Sequence, residues 1–196
     1  SSAASDVYKR QANILSLSSL GAFFAKNVVE EGIPVGIIQA TWSGTDIGYW
    51  IKGGYCYNNH IAPFESFNIA GILWYQGCND AQAGRFEQYY SKFKSVVEDY
   101  RRIFGNDDDL PFIYAQLAPY KNSRPEYEYG LYQRFQIIRE IQRLMLDDED
   151  VNKNLGMVVS LDAIYDTPAD MIHPLGKDIL GKRFAEVYKA MRDDTG

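Results

Sequence analysis

The sequence predicts an α/β protein, a three-layer αβα sandwich built around a mainly parallel sheet. Three observations predict it. Short, nearly continuous apolar runs recur along the chain, longer segments with a helical apolar period lie between them, and the two kinds alternate. A strand that is apolar at consecutive positions is covered on both faces, which is the condition of a parallel strand lying between two helical layers.

In chain order, the first expected element is a helix from about Ser18 to Glu31, capped by serine and stopped by Gly32-Ile33-Pro34. Strands are expected over 34–40, 69–75, 111–117 and 156–161, each bounded by Gly, Pro, Asn or Asp. Between the second and third of these, Phe86, Tyr90, Phe93, Val97, Tyr100 and Phe104 recur at steps of three and four, so one stripe of a helix is aromatic. Leu131, Phe135, Ile138, Ile141 and Met145 make a second such stripe, and Ile179, Phe184, Val187 and Met191 a looser third. No repeat and no linker divides the chain.

The composition is that of an ordinary globular domain: 196 residues, 46% hydrophobic and 23% charged. A chain of that length buries a core without a disulfide framework or a structural metal. The net charge of −6 is spread along the sequence. Nucleic acid and anionic membrane both select a clustered basic face, so neither is an expected partner. No apolar run approaches the roughly 20 residues of a membrane span. The acidic runs 106–109 and 147–150 lack the alternating oxygen ligands and turn glycine of a calcium loop, and read as solvated helix ends. The opening tract 1–11 has no useful periodicity; it is expected to be a non-native tail and is left out of the fold argument.

In an open parallel sheet, ligands bind beyond the carboxyl ends of the strands. The residues that follow each expected strand are Thr41-Trp-Ser-Gly-Thr45, Gln76-Gly-Cys-Asn-Asp80, Ala118-Pro-Tyr120, and a loop ending Asp170-Met-Ile-His-Pro174. Singly these are modest signals: Gly44 suits a tight turn, Asn79-Asp80 is a common turn pair, and Asp170 suits a helix cap. Their shared placement is the stronger signal. A glycine N–H and an asparagine amide are donors for a developing oxyanion, and a histidine beside a carboxylate is the pair that activates a serine hydroxyl. The chain has only two histidines, His60 and His173.

The segments 32–45, 57–64, 71–80 (Gly-Ile-Leu-Trp-Tyr-Gln-Gly-Cys-Asn-Asp), 110–117 and 172–177 (Ile-His-Pro-Leu-Gly-Lys), followed by 181–185, resemble the sialate O-acetylesterase family of SGNH (GDSL-like) hydrolases, related to the acetylxylan esterases. The resemblance covers roughly residues 12 to 190 and implies a flavodoxin-like order of strands. It implies that the Gly44 backbone N–H and the Asn79 side chain form the oxyanion hole, with Gln76 and Gly77 shaping the loop. His173 is then the general base and Asp170 the group that orients it, with Asp166 the alternative. Such enzymes remove acetyl groups from sugars through an acyl-serine intermediate, without metal or cofactor. An acetylated sugar or oligosaccharide is the expected partner, and export to the periplasm or outside the cell is the habit of relatives.

The chain departs from the family pattern at three places. No serine stands in the Gly-Gln-Ser-Asn type motif that carries the family's nucleophile, and Ser1, Ser2, Ser5, Ser16, Ser18 and Ser19 lack that context. Cys78 replaces a usual glutamate and reads as a small buried thiol. The acid partner of the base varies within the family. The family's first strand, central in its sheet, is therefore expected to be missing. Residues 12–192 read as a partial domain, inactive alone and prone to self-association through unpaired strand edges. A non-catalytic carbohydrate-binding homologue is the alternative. Trp42, Trp50, Tyr75 and Tyr120 are candidate walls of a sugar pocket, though core packing explains them nearly as well. His60 reads as a packed loop histidine, with substrate contact the lesser alternative.

Overall fold

The structure, a computed structural model, describes residues 18–29, 34–83, 85–105, 110–120, 125–165, 167 and 172–193. Helix α1 spans Ser19–Val29. Ser18 caps it, its Oγ accepting from Gly21 N at 3.2 Å, while Ser18 N donates to Gln39 Oε1 at 2.7 Å. The residues of the expected stop, 32 and 33, the acidic run 106–109 and the tract 1–11 lie outside the described residues. Ser18→Ala removes an orphan-donor partner at the helix start and is expected to cost about 1 kcal/mol. That corresponds to a thermal midpoint lower by about 2–4 °C in a scan against the parent protein.

Three strands follow: β1 Ile72–Trp74, β2 Phe112–Ala115 and β3 Leu155–Val158. They form one parallel sheet in the order β1-β2-β3, with Ile72 opposite Phe112 and Phe112 opposite Leu155. Helices α2 Cys78–Ala83 and α3 Tyr89–Ile103 connect β1 to β2, α4 Pro125–Leu144 connects β2 to β3, and α5 Lys177–Asp193 closes the described chain. Alternation along β2 divides the core. Phe112 and Tyr114 face a cluster with Trp74, Phe93, Val97 and Ile138 from the α3 and α4 side, whereas Ile113 and Ala115 face Phe24, Leu180 and Phe184 from α1 and α5. This is the three-layer αβα arrangement.

The expected aromatic stripe through α3 faces the core and is wider than the strict series: Phe93, Val97 and Tyr100 are buried, and Phe86, Tyr90 and Phe104 pack against the same cluster. Tyr89, Phe93, Val96, Val97 and Tyr100 are the buried positions, while Tyr90 lies on the flank and its hydroxyl donates to Asp148 at 2.6 Å. A core-facing stripe is wide enough to admit neighbours of the strict three-four series, and Tyr89 is one of them. Arg101, on the same helix, is buried and donates to the carbonyls of Leu110, Val151 and Lys153 at 3.1, 3.0 and 2.6 Å. It clamps the ends of β2 and β3 to α3.

The expectation of a strand over 34–40 needs correction. The segment joins no ladder among the described residues, and its burial alternates, with Val35 and Ile37 packed against the α1–α5 cluster while Ile38 is 42% exposed. The physical reason is its neighbour. β1 is the edge of the sheet, and an apolar groove of about 590 Å³ separates it from this segment, lined by Val35, Ile37 and Ile38 on one side and Ile72, Leu73 and Trp74 on the other. A seven-residue apolar run fixes the tendency to extend, but a ladder needs a hydrogen-bonding partner at strand spacing.

Candidate functional site

Past the carboxyl end of β1, the chain turns through Gly77, whose φ of +128° is a conformation that side-chain-bearing residues rarely adopt. Its carbonyl receives Ala81 N at 3.0 Å, so the turn opens α2, with Asn79 and Asp80 in the first turn of that helix. The carbonyl before it, Gln76 O, is held from below by Tyr89 Oη at 3.1 Å and by Gln142 Nε2 at 3.3 Å. Gln142 is fully buried, and its Oε1 accepts from Leu117 N at 2.9 Å just past β2. One amide side chain thereby joins the ends of two neighbouring strands.

A second loop comes from the segment after Ala40. Gly44 has φ +71°, the left-handed turn its position favours. Thr45 Oγ1 donates to Trp42 O at 3.0 Å and accepts from Trp50 Nε1 at 2.9 Å. Asp46 caps the short 3₁₀ turn Ile47–Tyr49 through Gly48 N at 2.8 Å and pairs with Arg85. Asp80 joins this loop to α2. Its buried carboxylate accepts from Ile47 N at 3.1 and 3.2 Å and from Gln76 Nε2, which also reaches Thr45 O at 3.4 Å.

The third contribution precedes α5. Gly176 N donates to Ala163 O at 3.2 Å, and a Cβ at Gly176 would stand 2.6 Å from that same oxygen, so the close approach requires glycine. Leu175 N donates to Thr167 Oγ1 at 2.9 Å. His173 is solvent-accessible ahead of this anchored turn, and Ile172 packs on the α3–α4 cluster. Lys177 places its ammonium 4.8 Å from the Tyr75 ring centroid. Burial brings Lys177 down to about 8. Partial burial, then the Lys177 charge, hold His173 below the ordinary imidazole value. Burial pushes the Cys78 thiol up to about 12, with the Lys177 charge opposing. A thiol so protonated at neutral pH is no nucleophile. Lys177 is thus within electrostatic reach of both Cys78, beside Asn79, and His173.

Of the residues expected from the sequence, Gly44 lies in the loop after segment 34–40, Gln76 and Gly77 in the turn past β1, Asn79 in the first turn of α2, and His173 ahead of α5. Asp170 and Asp166 lie outside the described residues. Tyr120 is buried with its ring tilted against Phe135, centroids 5.1 Å apart, and Trp50 is buried against Trp74, so core packing accounts for both rings. Trp42 is 51% exposed and lies edge-on to Tyr55 at 5.7 Å. His60 sits in a one-turn π-helix, 57–61, between Trp42 and Trp50, with Nε2 buried and unpartnered among the described residues. Asp80, Gln142 and Lys177 were not given site roles by the sequence. For Asp80 a signal existed: Gln76 and Asp80 stand four apart where a strand end gives way to a helix.

Comparison with known proteins identifies the family. The family model described as "Carbohydrate esterase, sialic acid-specific acetylesterase" matches residues 3–190, so the match begins inside the opening tract. The sialate O-acetylesterase of Mus musculus is 31% identical over 138 residues, and that of Rattus norvegicus 28% over 136. Each alignment covers 65% of this chain and 24% of the relative, so the chain spans about a quarter of their length. A carbohydrate acetylesterase from Xanthomonas citri superposes with a TM-score of 0.75 at 27% identity, covering 89% of this chain and 41% of that one. A protein from Arabidopsis thaliana shares the fold, with a TM-score of 0.66 at 20% identity over 85% of this chain and 66% of its own. With the family model matching nearly the whole sequence, the chain belongs to the carbohydrate esterase family of sialic acid-specific acetylesterases.

Proposed function

We propose that residues 12–192 are the oxyanion-binding and base-bearing part of a carbohydrate O-acetylesterase, which removes acetyl groups from sialic acid or another acetylated sugar through an acyl-serine intermediate. The observation that supports the reading is the set of ties between these segments: Asp80 and Gln76 hold Ile47 and Thr45, just after Gly44, to the start of α2 where Asn79 stands, and the Lys177 charge reaches both Cys78 and His173. The serine oxygen attacks the acetyl carbonyl as His173 takes its proton. The Gly44 N–H and the Asn79 amide receive the charge that develops on the carbonyl oxygen. The sugar oxygen leaves with the proton from His173, and water then repeats the sequence on the acyl-serine.

In this reading the serine comes from outside the described residues. Two of the described serines are already engaged elsewhere: Ser18 caps α1, and Ser160 donates to Gln116 O. The groove between 34–40 and β1 supports the same view, since it is apolar and is flanked by segment 34–40, which joins no ladder among the described residues, and by the edge of β1 that faces away from β2. Those exposed edges are templates for pairing with another chain.

Acetyl release from acetylated sialic acid and acetylated xylan tests the proposal. The 196-residue chain alone is expected to release nothing above buffer and to elute above its monomer mass. The protein of the full reading frame is expected to be active. A compact, cooperatively melting monomer of the short chain counts against the open-edge reading. A full-length protein that binds the sugars without releasing acetate identifies a carbohydrate-binding homologue instead.

A further inference from the structure

We propose that Asp80 is a positioning residue, a buried carboxylate latch that holds the Gly44 loop against the start of α2 so that the two oxyanion donors share one hollow. The inference rests on the esterase reading for its purpose, but the latch itself is a matter of geometry. Asp80 is 1% exposed, and both its oxygens accept from Ile47 N, at 3.1 and 3.2 Å. Gln76 Nε2 donates to the same carboxylate and reaches Thr45 O, so a carboxylate and an amide bridge the two loops at adjacent rungs. Gly44 lies between Trp42 and Thr45, which are themselves tied by the Thr45 hydroxyl. Asn79 is the residue before Asp80. Tying Asp80 to Ile47, and Gln76 to Thr45, therefore limits how far the Gly44 loop can move from the start of α2.

The charge balance indicates that the latch is not present for stability. Burial raises Asp80 to about 6, more than its hydrogen bonds from Gln76 and Ile47 lower it, and Asp46 adds to the rise. The groups that face it are Asp46, already paired with Arg85, and the protonated Cys78 and Tyr89; no cation is paired with it among the described residues. Between the unfolded carboxyl value of about 4 and the folded value of about 6, the folded state binds more protons than the unfolded one. Stability thus declines as pH rises through that window. A fold that keeps such a charge at neutral pH spends stability on position.

Asp80→Leu removes the acceptors, and Asp80→Asn keeps one oxygen for Ile47 N while removing the charge. Hydrogen exchange of the peptide covering 43–48, followed by mass spectrometry on the full-length protein, reads the latch directly. In Asp80→Leu, exchange at pH 7 is expected to quicken at least tenfold while the thermal midpoint stays within a few degrees of the parent or rises. Asp80→Asn is expected to fall between the two. In the parent, exchange corrected for its intrinsic pH dependence is expected to quicken as pH drops through 6, and in Asp80→Asn to stay flat. Acetyl release is expected to lose kcat at least tenfold in Asp80→Leu with KM nearly constant, and to recover in part in Asp80→Asn. Unchanged exchange over 43–48 in Asp80→Leu overturns the latch, as does a pH step that persists in Asp80→Asn. Loosened exchange in a parent that releases no acetate leaves the latch intact and sinks only the esterase reading, so the two failures are distinguishable.

Discussion

His173→Ala in the full-length protein is expected to lower kcat for acetyl release by roughly three to six orders of magnitude, with KM changed much less. In the proposed mechanism His173 acts twice, taking the serine proton and protonating the leaving sugar oxygen, so its loss should stop both steps. The chain's other imidazole supplies the control. His60 lies among Trp42, Trp50 and the groove lining, and His60→Ala is expected to leave kcat within a few-fold. If His60→Ala costs more than His173→Ala, the base has been misassigned.

The pH profile refines the same expectation. Partial burial and the Lys177 charge hold His173 below the usual imidazole value, so the neutral, basic form persists to lower pH than for a free histidine. The acid limb of kcat/KM should therefore fall below about 6.5, the unperturbed value. Lys177→Met removes the second cause and should move the limb upward. A limb above the ordinary histidine value in the parent would mean that a carboxylate partner outweighs both effects.

The layers were legible in the sequence because they depend on periodicity. The stripes through Phe93, Val97 and Ile138 and the runs at 72–74, 112–115 and 155–158 are local patterns that the packing simply uses. Segment 34–40 was misread as a laddered strand because apolar content reports a tendency to extend, whereas pairing depends on what lies alongside. The loops after the strands were legible as a set, since a parallel sheet gathers its carboxyl ends at one edge. The latch through Asp80 was not. A buried carboxylate accepting from a backbone N–H thirty-three residues away leaves no periodic trace, and Asn-Asp at a helix start has an ordinary explanation as a turn. Gln142 escaped for the same reason: as a polar residue within an α4 stripe of apolar neighbours, it reads as a solvent position until its contacts are known.

Gly77→Ala carries the largest expected effect on stability. At φ +128°, an L-residue bears about 1–3 kcal/mol of backbone strain. A Cβ there would also meet Tyr89 Oη at 2.9 Å and Ile138 Cγ2 at 3.1 Å. Neither neighbour can withdraw easily. Tyr89 is fully buried with its hydroxyl committed to Gln76 O, and Ile138 is fully buried in α4. Relief requires the turn itself to move, which releases Gln76 O from Tyr89 and Gln142 and shifts the start of α2 where Asn79 stands. Overpacking of this kind adds about 1–3 kcal/mol, so the total is expected at about 2–6 kcal/mol by denaturant midpoint in the full-length protein. Gly53→Ala separates the two causes, because Gly53 has φ +86° with open space around its Cβ position. It should cost only the backbone part, about 1–3 kcal/mol. Equal losses in the two variants would show that the contact with Tyr89 contributes nothing, and the turn at Gly77 would then lose its place as the support on which Asn79 rests.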